Sequence, residues 1–372
     1  MNVFEELDRR DHEQVVFCND RKASLRAIIA IHNTSLGPAL GGVRMWTYAG
    51  TDEALRDALR LSRGMTYKAA IGGLNLGGGK AVIIGDPNKD KTEALFRTYG
   101  RFVEGLGGRY ITAEDVGTTV REMEWVRMET KYVTGISRAL GGSGDPSPVT
   151  AFGVFVGIKA CCQEAFGSDS LKGRTVVVQG AGNVASNLCR HLAKDGARIF
   201  LTDIYEEKAR SLAKSVKGTF VKPESIYSVK ADIFAPCALG GILNDDTIPK
   251  LKVSIVAGGA NNQLLDEKKH MKLLMDRKIL YAPDYAINAG GLMNVANELE
   301  GYHEERALKQ AEGIYDILRA IFALAKEQNI PTSEAANRLA EARIEAIARI
   351  KLTYAGRSVF TGRLGERTQG GR

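Results

Sequence analysis

A chain of 372 residues with 44% hydrophobic composition can bury a substantial core, and at roughly 100 to 200 residues per domain it should form two domains. Its 51 basic and 44 acidic residues are interleaved, so the net charge of +7 lacks the clustered footprint of a polyanion binder, and no nucleic-acid partner is expected. The opening MNVFEELDRRDHEQ has no apolar h-region, and no run approaches the ~18 apolar residues of a membrane span, which argues against export and against a membrane partner. Five cysteines without a CxxC pair fit reduced thiols in a cytoplasmic protein, and no metal site is expected.

The first half mixes strands and helices. RAIIAIHN (26 to 33) reads as a buried strand, and Gly-Pro and Gly-Gly in TSLGPALGGVRMW mark a turn before a second strand. Thr51 can cap a helix in which Ala54, Leu55, Ala58, Leu59, Ser62 and Met65 recur at helical spacing, with Lys68 near its end. TYKAAIGGLNLGGGKA follows, with Lys68 and Lys80 on either side of five glycines. It is not a phosphate loop: Leu74 stands where the first glycine is required and Ala81 where the hydroxyl is. The stretch reads instead as a close-approach loop between two cations, with Lys80 starting the buried strand KAVIIGDP. A helix over TEALFRTYGRFVEGL leads to the strand RYITAEDVGT, which carries Asp115 at its C-terminal end.

GGSGDPSP (141 to 148) is a composition break and reads as a crossing between domains. Beyond it, KGRTVVVQGAGNVASNLCRHLAKDGARIFLTDI has the order strand, glycine turn, helix, strand. The turn Gly180-Ala181-Gly182-Asn183-Val184-Ala185 fits G-x-G-x-x-G/A, and Asp203 lies twenty-three positions after Gly180, as a dinucleotide fold requires. Gly180 makes the tight turn, Gly182 lets a pyrophosphate reach the helix N-terminus, and Asp203 takes the ribose hydroxyls. A carboxylate repels a 2′-phosphate, so NAD is favoured over NADP, with Lys208 and Arg210 as the cations a 2′-phosphate could use. ADIFAPCA, SIVAGGA and ILYAPDYAINAGG supply further strands. From Glu304 the chain reads as helical, with Thr332 capping the last helix and RSVFTGRLGERTQGGR as a solvated basic tail.

A dinucleotide implies hydride transfer, and the first domain then carries the substrate. Lys68 can anchor a carboxylate. Lys80, beside bare backbone and a second cation, should have a lowered pKa and serve as a base, and Asp115 can pass a proton to a substrate nitrogen. Anchor, neutral lysine and carboxylate together suit oxidation of an α-amino acid.

The motifs LGPALGGVRMW, RLSRGMTYKAA, GGGKAVI, AEDVGT, GDPSPVTAFGV, QGAGNV, GGANNQL and APDYAINAGGLMNV occur in order over about residues 25 to 300. In them the chain resembles the amino acid dehydrogenase family of glutamate, leucine, phenylalanine and valine dehydrogenases, its leucine-acting members most closely. The resemblance implies an N-terminal α/β substrate and oligomerisation domain (1 to 140) and a doubly wound Rossmann NAD-binding domain (141 to 335). It also implies a cleft that closes, a C-terminal helix and tail (336 to 372) returning to the first domain, and homo-oligomers, often octamers. It assigns Lys68 to the substrate carboxylate, Lys80 to base catalysis and Asp115 to proton transfer. Thr150 is placed at the nicotinamide carboxamide, Asn262 near substrate and nicotinamide, and Ala181, Asn183, Val184 and Ala238 with the glycines around the dinucleotide. Leu40, Gly41, Met65, Ala113, Leu292 and Val295 line the substrate pocket by family position. Glutamate dehydrogenases carry a lysine at the position of Leu40, so a distal carboxylate is disfavoured here and branched-chain L-amino acids are expected. Two positions depart from the leucine-acting pattern: Asp145 stands where Asn is usual, and Leu292 where Val is usual. The alternatives are an aromatic-acting amino acid dehydrogenase, which LCRHL and DIFAPCALGGILN also resemble, and a non-catalytic dinucleotide-binding sensor.

Overall fold

The computed structural model describes residues 2–350, so the basic tail lies outside the described residues. The chain forms two compact units. One runs to Asp145, takes in Val295–His303 and resumes at Ala340; the other holds Pro146–Asn294 and Glu304–Leu339.

The first unit contains α1 (Val3–Arg10), β1 (Gln14–Asp20), β2 (Leu25–Asn33), β3 (Ala39–Leu40), β4 (Val43–Trp46), α2 (Thr51–Ile71), β5 (Gly77–Ile84), α3 (Glu93–Glu104), β6 (Tyr110–Ile111) and α4 (Val120–Arg127). The sheet order is β1-β2-β5-β3-β6, with β4 also paired to β5. β2 runs antiparallel to β1 and β5, whereas β3 and β4 lie parallel to β5. Alternation along the strands serves two cores, because successive side chains leave a strand on opposite faces. Ile28, Ala30 and Val82 meet Ala54, Leu55, Ala58 and Leu59 of α2 on one face. Ile29, Ile31, Ala81 and Ile83 meet Phe96, Tyr99, Val103, Met123 and Val126 of α3 and α4 on the other. Each such large side chain contributes about 1.5 to 3 kcal/mol on burial.

Two local expectations are corrected. Thr51 is the first helical residue of α2, and the cap is Gly50, which offers no side chain. The glycines 77 to 79 are not a loop: they form the buried start of β5, and Lys80 lies within that strand.

The second unit opens with α5 (Ser147–Phe166), then β7 (Thr175–Gln179), α6 (Asn183–Lys194), β8 (Arg198–Thr202), α7 (Glu206–Ser215), β9 (Thr219–Phe220), β10 (Ile233–Pro236), β11 (Ile255–Val256), α8 (Glu267–Asp276) and β12 (Leu280–Tyr281). Helices α9 (Asp284–Ile287), α10 (Gly290–Ala296), α11 (Glu304–Glu312), α12 (Ile314–Gln328) and α13 (Thr332–Ile350) follow. The strands run β12-β11-β10-β7-β8-β9, every pair parallel. Counted from β7 this is 3-2-1-4-5-6, the doubly wound order, which reverses direction beside β7. The α/β fold class read from the sequence is borne out.

Helix α5 corrects the reading of hydropathy. By length and composition it could cross a membrane, but half of its apolar window is buried in this unit, where α6, α11 and α12 pack on it. Thr332 opens α13 and donates its hydroxyl to Tyr281 O at 2.7 Å, so it begins that helix without being its cap.

Candidate active site

Packing explains the glycines of β5. A Cβ on Gly78 would stand 2.1 Å from Thr66 N and 2.5 Å from Ser62 O, both in α2, and one on Gly79 would stand 2.6 Å from Tyr110 Cδ2. The faces of these glycines are therefore occupied by the protein itself, and the close approach they allow is that of α2 and Tyr110. By strand alternation Lys80 then projects on the α2 side, as Gly78 does.

Lys80 is 5% exposed, and its Nζ lies 3.0 Å from Asp115 Oδ2. Burial pushes the Lys80 ammonium below its ordinary range; Asp115 opposes that shift and Arg44 reinforces it. Arg44 is thus a reinforcing cation that the sequence reading did not name. Asp115 is held below the carboxylate range: burial works against ionisation, and Lys80 and Arg44 outweigh it. Asp115 lies beyond its strand, since β6 is only Tyr110–Ile111, in a segment pinned by the Thr118 hydroxyl, which accepts from Asp115 N–H at 2.9 Å. Bare backbone at Gly42 allows this approach, because an added Cβ would lie 3.0 Å from Asp115 Cβ.

Arg44, from β4, donates through Nε to Asp115 Oδ2 at 2.9 Å and through Nη1 to Asp57 Oδ2 at 3.0 Å. Tyr48 donates to the same Asp57 oxygen at 2.8 Å, and Arg60 donates to the other at 2.9 Å. Sequence reasoning gave no role to Arg44, Tyr48 or Asp57. The available signal was a lone charge inside the apolar strand Val43-Arg44-Met45, which demands a buried partner. Glu114 was missed as well: burial, then Asp145, Glu298 and Asp115, push its carboxyl up to about 7. A cavity of about 520 Å³ is lined by Arg44, Trp46, Tyr48, Arg56, Asp57 and Arg60, among others.

Leu40, Gly41, Met65 and Ala113 lie near this pair within the first unit. Leu40 is buried opposite Gly78 and Ile111 in the sheet. A Cβ on Gly41 would meet Gly79 O and lie 3.4 Å from Met65 Cγ, while Tyr110 OH donates to Gly41 O at 2.5 Å. Ala113 is buried and its carbonyl accepts from Val43 N–H at 2.8 Å. Lys68 is half-buried in the last turn of α2. That end of the helix is held by Arg343 of α13, which donates to Leu74 O at 2.7 Å and Ala70 O at 3.1 Å, and by Glu341, which accepts from Tyr67 OH at 2.7 Å.

In the second unit, β7 leads into Gly180, whose φ of +115° favours glycine, and the turn runs into α6 with Gly182 as a cap that offers no side chain. Among the described residues, a Cβ on Gly182 would meet nothing within 4 Å. Open space in front of a helix N-terminus is what a pyrophosphate needs, so these residues fit a dinucleotide. At the end of β8, Asp203 accepts from Ala181 N–H at 2.7 Å and from Tyr205 N–H at 2.8 Å, which brings its carboxylate to the turn. Lys208 lies 4.9 Å over the Tyr205 ring, and Arg210 pairs with Glu206 and lies 4.2 Å over Phe220. Asn183 and Val184 begin α6, and exposed Ala238 follows β10. Asn262 is exposed at φ +50°, with its carbonyl accepting from Gly241 N–H. Thr150 in α5 donates to Pro146 O at 2.9 Å and faces Gly291, whose added Cβ would come 2.7 Å from its hydroxyl. Leu292 and Val295 are buried residues of α10, Leu292 belonging to the second unit and Val295 to the first.

A 3-2-1-4-5-6 parallel sheet with this turn and acidic residue defines a dinucleotide-binding unit. A family model for the Glu/Leu/Phe/Val dehydrogenase dimerisation domain matches residues 12–132, and one for Glutamate/Leucine/Phenylalanine/Valine dehydrogenase matches 141–204 and 200–351. The leucine dehydrogenases of Thermoactinomyces intermedius and Geobacillus stearothermophilus are each 58% identical over 95% of this chain and 96% of theirs. The crystal structure of L-tryptophan dehydrogenase from Nostoc punctiforme superposes with a TM-score of 0.83 at 51% identity, covering 93% of this chain and 99% of that one. The chain belongs to the glutamate/leucine/phenylalanine/valine dehydrogenase family, as its motifs indicated. It is an amino acid dehydrogenase that works with a nicotinamide dinucleotide.

Proposed function

We propose that the protein oxidatively deaminates branched-chain aliphatic L-amino acids, L-leucine foremost and also valine and isoleucine, in a reversible reaction with NAD. The observation that carries the reading is Lys80, buried in β5 with its Nζ 3.0 Å from Asp115. The 58% identity to two leucine dehydrogenases supports the choice of substrate.

Lys68 anchors the substrate carboxylate as a point charge. When bound, the dinucleotide would supply the acceptor for the hydride of Cα, whose loss leaves the substrate as an iminium. Lys80, neutral, takes a proton from the water that attacks the iminium carbon. Asp115 passes a proton to the nitrogen, and the C–N bond breaks to release ammonia. Amino acid with a neutral amine, water and oxidised dinucleotide thus give oxo acid, ammonium and reduced dinucleotide.

Leu40, Met65, Ala113, Leu292 and Val295 are the proposed side-chain lining. An unpaired distal carboxylate against such a surface is strongly disfavoured, whereas one methylene more or less changes binding by only ~1 to 3 kcal/mol. Asp203 selects NAD, and the prior engagement of Lys208 and Arg210 supports that choice. Thr150 and Asn262 are the proposed contacts to the nicotinamide end, and Gly180 to Val184 with Ala238 to the remainder. We read the protein as a cytoplasmic homo-oligomer. Support for self-association comes from the dimerisation-domain match and from the edge position of β1, where Phe17 is 51% exposed.

The deciding experiment is NADH formation at alkaline pH across L-leucine, L-valine, L-isoleucine, L-phenylalanine, L-tryptophan and L-glutamate, repeated with NADP. Branched aliphatic substrates with NAD should give the highest kcat/KM. A preference for phenylalanine or tryptophan would replace this reading with the aromatic one.

A further inference from the structure

Asp115 Oδ2 is shared by two donors, Lys80 Nζ at 3.0 Å and Arg44 Nε at 2.9 Å. Arg44 is in turn held from behind by Asp57, which Tyr48 and Arg60 hold in place. The result is a line of alternating charge: Lys80, Asp115, Arg44, Asp57, Arg60. Three elements and a loop build it, since Lys80 comes from β5, Arg44 from β4, Asp57 and Arg60 from α2, and Asp115 from the segment after β6. Without the Lys80 proton the line sums to zero, with two guanidinium ions against two carboxylates. With that proton it holds three cations against two carboxylates; the outer Arg60 side chain is 51% exposed and that of Lys80 6%, so the proton on Lys80 is the charge that burial disfavours most.

We propose that Arg44 is a positioning residue of the reaction centre: clamped by Asp57, it fixes the Asp115 carboxylate against Lys80 and makes the Lys80 proton the dispensable charge of the line. The proposal rests on the reading of Lys80 as the base. Its advantage over a lone Lys–Asp pair is physical. In an isolated buried pair the carboxylate retains the ammonium proton, and Lys80 would stay charged at working pH. Arg44 satisfies Asp115 first, so Asp115 can be ionised while Lys80 is neutral.

The groups acting on Lys80 are Asp115 and Asp57, which favour its charged form, and Arg44, which opposes it. Glu114, beside Asp115, adds a carboxyl that ionises near 7. The Tyr48 and Tyr110 phenols are pushed upward chiefly by burial, so they remain neutral.

The test is the pH profile of kcat/KM for L-leucine oxidation in the wild type, Arg44→Met, Arg44→Lys and Asp57→Asn. In parallel, acetylation of Lys80 by acetic anhydride in the dinucleotide-free protein is followed by mass spectrometry at each pH. Arg44→Met should move the acid limb and the Lys80 labelling midpoint up by about one unit or more, at least a ~10-fold loss at a fixed pH below the limb. Arg44→Lys should bring both back to within about half a unit of the wild type, because it returns the charge. Asp57→Asn leaves Arg44 in place and removes an anion, so it should shift both in the opposite direction, downward. If Arg44→Met does not fold, the Asp57→Asn shift decides alone. Equal losses at every pH, with limb and labelling midpoint unmoved in these variants, would overturn the proposal and leave Arg44 a packing residue. Failure of the underlying reading is distinguishable: Lys80→Ala would then retain near wild-type turnover, whatever the Arg44 variants did.

Discussion

The molecule has two glycine-rich stretches that look alike as sequence and do opposite things. In Gly77-Gly78-Gly79 the missing side chains make room for the protein: α2 lies on Gly78 and Tyr110 on Gly79. In Gly180-Ala181-Gly182 the outer glycine faces open space in front of a helix N-terminus, and the room is left for a ligand. Glycine allows close approach in both places, and the tertiary surroundings decide what approaches. The first stretch is therefore a matter of stability and of the position of Lys80, the second a matter of affinity.

Gly78→Ala should break the comparison hardest. Its Cβ would meet the backbone of Thr66 and Ser62, which cannot swing aside, so α2 must lift from β5. A loss of about 3 kcal/mol or more is expected, read as a fall in the denaturant midpoint, with turnover falling as Lys80 is displaced.

A pH effect of intermediate size should appear at the same contact. Thr66 Oγ1 is 2.8 Å from His32 Nδ1, and the His32 ring lies 4.7 Å from that of His12. Burial above all pushes His32 down to about 3 and His12 to about 4, so both are neutral in the fold. The unfolded chain binds their protons near pH 6.5, so the stability they contribute is complete above that value and declines as pH falls toward 3 to 4. Each depressed histidine makes stability fall by as much as roughly 1.4 kcal/mol per pH unit in that window. His32→Gln should flatten the slope of unfolding free energy between pH 6 and 4; an unchanged slope would mean that these rings already carry charge in the fold.

The smallest effect on folding is expected from Gly182→Ala. The added methyl points into open space, so stability should stay within about 0.5 kcal/mol of the wild type. Dinucleotide affinity, measured by fluorescence titration, should fall about tenfold or more, near 1.4 kcal/mol, because the methyl stands where the pyrophosphate approaches. A destabilised Gly182→Ala with intact affinity would reverse the contrast between the two stretches.

Legibility differed between the same two regions. The βαβ reading of 172 to 204 survived because its determinants are local: a strand pattern, a turn of fixed chemistry, a helix and an acidic strand end lie within about thirty residues. Lys80 and Asp115 were legible as chemistry but not as geometry. Their contact spans thirty-five positions, and the partner that completes it, Arg44, comes from a third element. β1 went unread because its burial is partial, and α4 because its short run is carried by a capping box at Thr119 and Glu122 more than by periodicity. Arg343 could not be foreseen as the clasp on α2, since nothing in the last helix refers to residues 70 to 75.

Local pattern thus determined, by itself, the parallel sheet with its dinucleotide turn, the acidic partner at Asp203, and the presence of two lysines and an aspartate suited to amino acid oxidation. Those features depend on backbone periodicity and turn chemistry, which neighbouring residues dictate. Tertiary structure alone decided that the first glycine run is a packing surface, that Lys80 is buried against Asp115, and that Arg44 and Asp57 complete the line of charge. Charges taken out of water must find partners wherever the fold brings them, and strand order, unlike sequence spacing, sets which partners those are.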